Sequence, residues 1–147
     1  MKAFLILATS AFLISTATIA TFTPTQAFAG EEVKDAMKEM GAAFKIIGKD
    51  LKAGTITSAT KLAGKTLVDA LTSIQGVLPD AVSDGQGGER PILPTEVADF
   101  NQKTAEMLVL AQTLKAQLDG DDVAGATKTA QEMNTLKGDA HDQYKAD

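Results

Sequence analysis

The side chains best suited to chemistry stand near the two ends of the chain. Its only histidine, His141, lies in the segment KGDAHDQYK (137–145), three residues before its only tyrosine, Tyr144. Near the other end, Met37 and Met40 recur at helical spacing. A thioether and an imidazole form a pair of axial ligands that haem iron accepts. Met37 and His141 are therefore the first candidates for a cofactor site.

Four segments with alternating three- and four-residue apolar spacing have to position these side chains. This spacing is typical of α-helices that pack in a bundle. The predicted helices span about 31–52, 58–78, 96–118 and 122–145. In the first of them, the apolar stripe consists of Val33, Met37, Met40, Phe44, Ile47 and Leu51. The predicted fold is all-α, an antiparallel up-down-up-down four-helix bundle.

The segments between the helices agree with this arrangement. Residues typical of helix N-caps precede the last three helices: Thr57 or Ser58, Thr95, and Asp121. Pro79 is expected to stop the second helix. The long connection 79–94 contains three prolines and three glycines and has no strand pattern. We expect it to be an irregular crossing loop between the second and third helices.

The composition excludes several classes of function. The chain has no cysteine, which rules out thiolate metal sites, iron–sulfur clusters and cysteine nucleophiles. With a single histidine, a multi-histidine zinc site would need unusual ligands, and no Glu-x-x-His pair is present for a di-iron centre. A net charge of −5 without a basic run makes nucleic acid and anionic lipid unexpected partners. We expect no enzymatic activity.

The N-terminus has the three parts of a secretory signal peptide. Lys2 provides a positive charge, residues 3–22 are uncharged and mostly apolar, and the small-x-small motif AFA (27–29) follows. An uncleaved membrane anchor is the alternative, because the uncharged run is long enough to span a bilayer. The many Ser and Thr residues and the AFA motif favour cleavage. The prediction is a signal peptide at 1–29 and a periplasmic domain at 30–147, with no membrane anchor after cleavage.

The expected topology brings the two candidate ligands to the same end of the bundle. Met37 and His141 would each lie about 9 Å in from that end, at a rise of about 1.5 Å per residue. Phe100 would arrive at the same level as an apolar wall, and Gly41 and Gly138 would leave room for a flat macrocycle. A core methionine and a solvent-facing histidine at a helix end explain the same spacing. The spacing alone does not decide between the two interpretations.

The first and last helices resemble those of the cytochrome b562 and class II cytochrome c (cytochrome c′) families. The resemblance rests on VKDAMKEMGAAFKIIGKDLKAG (33–54) and AHDQYK (140–145). It implies that Met37 and His141 are the axial ligands of a haem. Class II cytochromes c attach haem through Cys-x-x-Cys-His, but KGDAH has Lys137 and Ala140 in place of the two cysteines. The expected cofactor is therefore non-covalent haem b.

The resemblance implies a periplasmic one-electron carrier that exchanges electrons with redox partner proteins. With both axial positions closed, the iron would bind no substrate. Lys137 could meet a haem propionate or be a plain surface lysine. Two alternatives remain open: a haem-free helical bundle that acts as a binding or structural module, and a high-spin haem protein that binds gas, for which Met37 must not ligate.

The signal-peptide prediction can be tested by mass. We expect export with cleavage after Ala29, because the AFA motif ends there. Intact-mass spectrometry of the exported protein should then give the mass of residues 30–147. A membrane-bound chain that retains residues 1–29 would contradict this.

Overall fold

The computed structural model describes residues 29–144 except 80, 85 and 87; the side chains at 29–31 and 83 are also outside this description. The predicted signal peptide thus lies outside the described residues, apart from the backbone of its last one. The described chain forms four helices: Ala29–Lys52 (α1), Ser58–Ser73 (α2), Val97–Asp119 (α3) and Val123–Tyr144 (α4). The predicted all-α class is confirmed.

The packing of the helices is uneven. The pairs α1–α2, α2–α3 and α3–α4 are in extensive contact, whereas α1 and α4 touch much less. The main core lies between the helices and includes Ile47, Leu67, Leu71, Ile74, Leu114, Leu118 and Met133, all 2% exposed or less. None of the described helices is long and apolar enough to cross a membrane.

The buried face of α1 differs from the predicted stripe in one important position. Ala36 and Ala43 are buried, at 5% and 3% exposed, whereas Met37 is 42% exposed. Because α1 packs mainly on α2, it turns its small alanine side chains toward that helix. Met37 is left at the edge of the buried face. Its placement in the apolar core stripe was therefore wrong.

A smaller apolar cluster lies apart from the main core. We call it the end cluster; it consists of Val82, Phe100 and Tyr144, with Leu78 and Ile92 packed against them. It joins the start of α3 and the last residue of α4 to the connection between α2 and α3. The end cluster therefore covers one end of the helices.

The connection between α2 and α3 contains a short ladder that the sequence did not predict. Val82–Ser83 (β1) and Glu89–Arg90 (β2) pair antiparallel. The turn between them is held by Asp84, whose Oδ1 accepts hydrogen bonds from the backbone N of Gln86 at 2.7 Å and of Gly88 at 2.9 Å. A two-residue strand is too short to produce an alternating pattern, so no strand was predicted here.

The start of α2 agrees with prediction, whereas its end does not. Thr57 caps α2, and it exchanges side-chain-to-backbone hydrogen bonds with Thr60 in a capping box. The carboxylate of Asp50 accepts further hydrogen bonds from both threonine hydroxyls. The helix ends at Ser73, before the expected stop at Pro79. Gly76 follows with a φ of 75°, a conformation that a helix cannot continue through.

Two other predicted caps are displaced by one residue. The N-cap of α3 is Glu96, which makes no side-chain capping hydrogen bond, and not Thr95. At the start of α4, the carboxylate of Asp122 accepts from the backbone N of Gly125 at 2.9 Å. Asp121 has a φ of 57° and belongs to the turn. Asp121 thus adopts the positive φ of the turn, and the side chain of Asp122 caps α4.

At Gly64, α2 and α3 approach each other closely. A Cβ at this position would lie 2.9 Å from Cδ1 of Leu118, a side chain that is fully buried. Gly48 in α1 is a matched helical glycine whose Cβ would meet nothing within 4 Å. Alanine substitutions at Gly64 and Gly48 therefore distinguish the effect of steric fit from that of helix propensity.

We expect Gly64→Ala to destabilise the protein by about 1–2 kcal/mol, because overpacking costs more than the gain in helix propensity. Gly48→Ala should stabilise it by about 0.5–1 kcal/mol through propensity alone. Urea denaturation of both variants measures the two free energies of unfolding. Equal effects in the same direction would contradict the close α2–α3 approach.

Candidate functional site

The candidate ligands lie on the faces of α1 and α4 that are turned toward each other. The Nζ of Lys137 lies 5.9 Å from the centre of the Phe44 ring, which joins the two helices. Residues three, four or seven apart share a helix face. His141 therefore shares the face of Lys137, and Met37 and Met40 share the face of Phe44. We call this region the α1–α4 seam.

The seam has free space on both sides. Met37 is 42% exposed and His141 is exposed as well. A Cβ built at Gly41 or at Gly138 would meet no atom within 4 Å. The helices α1 and α4 also touch much less than the other packed pairs. The seam is thus open to solvent and is the least packed junction between neighbouring helices of the described chain.

The two methionines of the seam differ in their packing. Met40 is half-buried and packs against the main core. Met37 lies one turn nearer the start of α1 and keeps a large exposed surface. If α1 and α4 run antiparallel, the Lys137–Phe44 contact sets His141 level with Met40, and the reach of a lysine side chain, about 6 Å or about four residues of helical rise, extends the match to Met37. The thioether of Met37 is the one not engaged in the core.

The last turn of α4 is fixed by Tyr144, three residues after His141. Its ring packs edge-on against Phe100, with 5.3 Å between ring centres and 87° between planes. Its hydroxyl donates a hydrogen bond to Oδ2 of Asp99 and accepts one from Nε2 of Gln143 at 2.9 Å. Burial and this bond raise the pKa of Tyr144, and the same bond lowers the pKa of Asp99. His141 is thus carried on a turn with a defined position.

Phe100 lies at the end of the helices where it was expected. Its side chain, however, packs in the end cluster. It is 4% exposed and forms the floor on which Tyr144 packs. Just after the end of α2, Ile74 belongs to the main core and Leu78 packs against the end cluster. The predicted residues of the site are therefore divided between the seam and the cluster beneath the last turn of α4.

An ion pair beside the end cluster was not predicted from the sequence. Arg90 donates two hydrogen bonds to Glu96, from Nη1 to Oε2 at 2.7 Å and from Nη2 to Oε1 at 2.6 Å. Glu96 Oε2 also accepts from the backbone N of Leu93 at 2.9 Å. The hydrogen bonds from Arg90 lower the pKa of Glu96 to about 2. No spacing rule links an arginine in a loop to a helix start, so only the three-dimensional fold identifies the pair.

The chain matches no family model, and no curated protein or solved structure is significantly similar to it. Among the described residues, no three His, Cys, Asp or Glu side chains come together as a metal site. The donor atoms that the seam offers are instead one imidazole and the thioethers opposite it. These atoms suit an iron that already has four equatorial ligands, as in a haem.

The Arg90–Glu96 pair generates a prediction for acid stability. The pKa of Glu96 is lowered by folding, so its contribution to stability is present above its ordinary pKa of 4.5 and is lost as the pH falls toward about 2. We expect the melting temperature of Glu96→Gln to be lower than that of the parent at pH 7. It should also fall less between about pH 4.5 and pH 2.

Glu39→Gln is the control, because it removes the same charge from an exposed position on α1. Its melting temperature should follow that of the parent across this range. If Glu96→Gln shows the full acid loss of the parent, the pair does not stabilise the folded chain.

Proposed function

We propose that this protein is a small electron carrier that binds one non-covalent haem b at the α1–α4 seam, with Met37 and His141 as axial ligands. The observation that carries the proposal is the seam itself. It is the least packed junction between neighbouring helices, and it has an exposed thioether on one side and the only imidazole on the other. Haem b supplies the one-electron iron couple when bound.

An up-down-up-down arrangement belongs to the proposal, and contacts at both ends of α2 and α3 support it. Lys61, near the start of α2, pairs with Asp121 just after α3 at 2.8 Å. Gln75, just after α2, donates to the carbonyl of Thr104 near the start of α3 at 3.1 Å. The start of one helix thus meets the end of the other, as in antiparallel neighbours.

The same reasoning applies to α3 and α4. Tyr144, the last residue of α4, packs on Phe100 near the start of α3. At the opposite end, the backbone at Gly125 lies close to the side chain of Gln117. With a short link between α1 and α2, four alternating helices bring the start of α1 and the end of α4 together. In this arrangement His141 comes level with Met40, and Met37, one turn away, is the thioether that the core leaves exposed.

The side chains of this chain fit a haem in three respects. The donor pair is one that haem iron accepts, and a thioether favours the reduced iron. Gly41 and Gly138 leave space beside the two ligands. Lys137 holds its ammonium at the seam, where it could pair with a propionate, and Phe44 is the apolar surface beneath it. The functional consequence is electron exchange with periplasmic redox proteins and no bound substrate.

The visible spectrum of the purified chain 30–147, titrated with haemin and then reduced, tests this proposal. A sharp reduced spectrum with split visible bands is expected for Met/His ligation. Absence of a Soret band after titration would favour a haem-free binding or structural module. A broad high-spin spectrum would favour the gas-binding alternative.

Three variants test the ligands. His141→Ala should lose most of the haem affinity, because imidazole is the stronger ligand for ferric iron. Met37→Ala should keep the haem but turn the spectrum high-spin and lower the potential. Met40→Ala is the matched control one turn deeper. Because Met40 packs on the main core, this variant should lose stability and keep the low-spin spectrum.

Two outcomes would contradict the ligand assignment. If Met40→Ala gives the high-spin form and Met37→Ala does not, the thioether ligand is Met40. If His141→Ala binds haem as the parent does, His141 is a surface histidine and the proposed coordination is wrong.

A further inference from the structure

The face of the bundle formed by α3 and α4 contains an open groove, which we call the α3–α4 groove. It has a volume of about 700 Å³. Its lining consists of Gln102, Ala105, Glu106, Val109 and Leu110 of α3 and Glu132, Thr135, Leu136 and Asp139 of α4. None of the seam residues belongs to this lining, so the groove is separate from the proposed haem site.

Part of the groove lining is apolar and in contact with water. Val109 is 61% exposed, one of the most exposed large apolar residues among the described side chains. Leu110 and Leu136 are half-buried beside it and pack against the main core. An exposed apolar side chain between two other apolar ones marks a surface that gains free energy when it is covered.

The charged side chains that line the groove are all carboxylates: Glu106, Glu132 and Asp139. Glu106 accepts a hydrogen bond from the neutral amide of Gln102 at 2.7 Å, so its charge is not neutralised there. Glu132 pairs with Lys128 at 3.9 Å, and the side chain of Lys128 is 81% exposed. Such an exposed pair contributes little. The groove therefore has an apolar floor with a net negative rim.

We infer that the α3–α4 groove is a docking surface for a cationic amphipathic helix of a partner protein. A groove between two helices accepts a third helix, whose apolar side chains pack between their ridges. From residue 102 to residue 110 the floor extends about 12 Å, or about two helical turns. Lysine or arginine side chains beside the apolar stripe of the partner helix would meet the three carboxylates.

A second copy of the chain is a poorer occupant of this groove. Placing the same groove of two copies face to face would bring six carboxylates together, with only the exposed Lys128 of each copy paired to one of them. The chain as a whole also carries a net charge of −5. Like charges at an interface oppose association. A cationic partner relieves this repulsion, which is why we assign the groove to one.

A smaller groove on the opposite side provides the control. It lies between α1 and α2, has a volume of about 520 Å³ and has four alanines among its nine lining residues. Asp69 on its rim is already paired with Lys65. Leu62 is 64% exposed there, nearly the same as Val109 in the α3–α4 groove. Val109→Lys and Leu62→Lys thus each replace an exposed apolar side chain by lysine, the first in the α3–α4 groove and the second in the groove between α1 and α2.

The test uses a fluorescein-labelled synthetic helix of about 14 residues, leucine on one face and lysine on the other. Its affinity is measured by fluorescence anisotropy for the chain 30–147, with and without haem. Val109→Lys should weaken binding about tenfold, because it removes apolar contact and repels the peptide. Leu62→Lys should change it by less than about twofold. Circular dichroism checks that both variants fold.

The rim is tested by the triple variant Glu106→Gln, Glu132→Gln and Asp139→Asn. Binding to the parent should weaken as the salt concentration rises from low levels to about 0.5 M, and the triple variant should have lost most of this salt dependence. Weakening by Leu62→Lys equal to that by Val109→Lys would overturn the proposal, and so would parent-like binding by the triple variant. Sedimentation that shows a parent dimer dissociated by Val109→Lys would instead assign the groove to a second copy. None of these outcomes depends on haem.

Discussion

The position of the last turn of α4 depends on one buried side chain, Tyr144. Its ring lies on Phe100 and its hydroxyl on Asp99, so both an apolar and a polar contact tie α4 to the start of α3. Helix ends usually fray, because their last carbonyls lack partners within the helix. Here the end that carries His141 is held by tertiary contacts. An imidazole on a fraying turn would be a poor ligand; the turn that carries His141 is instead held in place through Tyr144.

The helix pairs differ in how closely they pack because the side chains at their contacts differ in size. Alanine and glycine on α1 and α2, including Ala36, Ala43, Ala63 and Gly64, let the first three helices approach closely. The seam instead carries long side chains, with Met37, Met40 and Phe44 on one side and Lys137 on the other. Long flexible side chains fill space without locking two backbones together. The least packed junction between neighbouring helices is thus the one that carries these long side chains.

Much of the core could be predicted from spacing alone. The stripe of α3, including Phe100, Ala111, Leu114 and Leu118, is buried as the period of the helix requires. The prediction that Met37 is a core residue failed because periodicity defines the buried face of a helix only to within about one residue. In α1, the small alanine side chains that pack toward α2 take the buried positions instead. The ladder at Val82 and the Arg90–Glu96 pair depend on contacts between a loop and a helix. No period in the chain encodes such contacts.

The connection between α1 and α2 has a consequence for how the chain folds. Asp50 accepts hydrogen bonds from Thr57 and Thr60, residues no more than ten positions away. Closing so short a loop costs little entropy, and structures rich in near-neighbour contacts fold quickly. We expect α1 and α2 to form a hairpin early, and the remaining helices to add in chain order. The contact between α1 and α4 closes the longest loop with the least packing, so it should form last and open first.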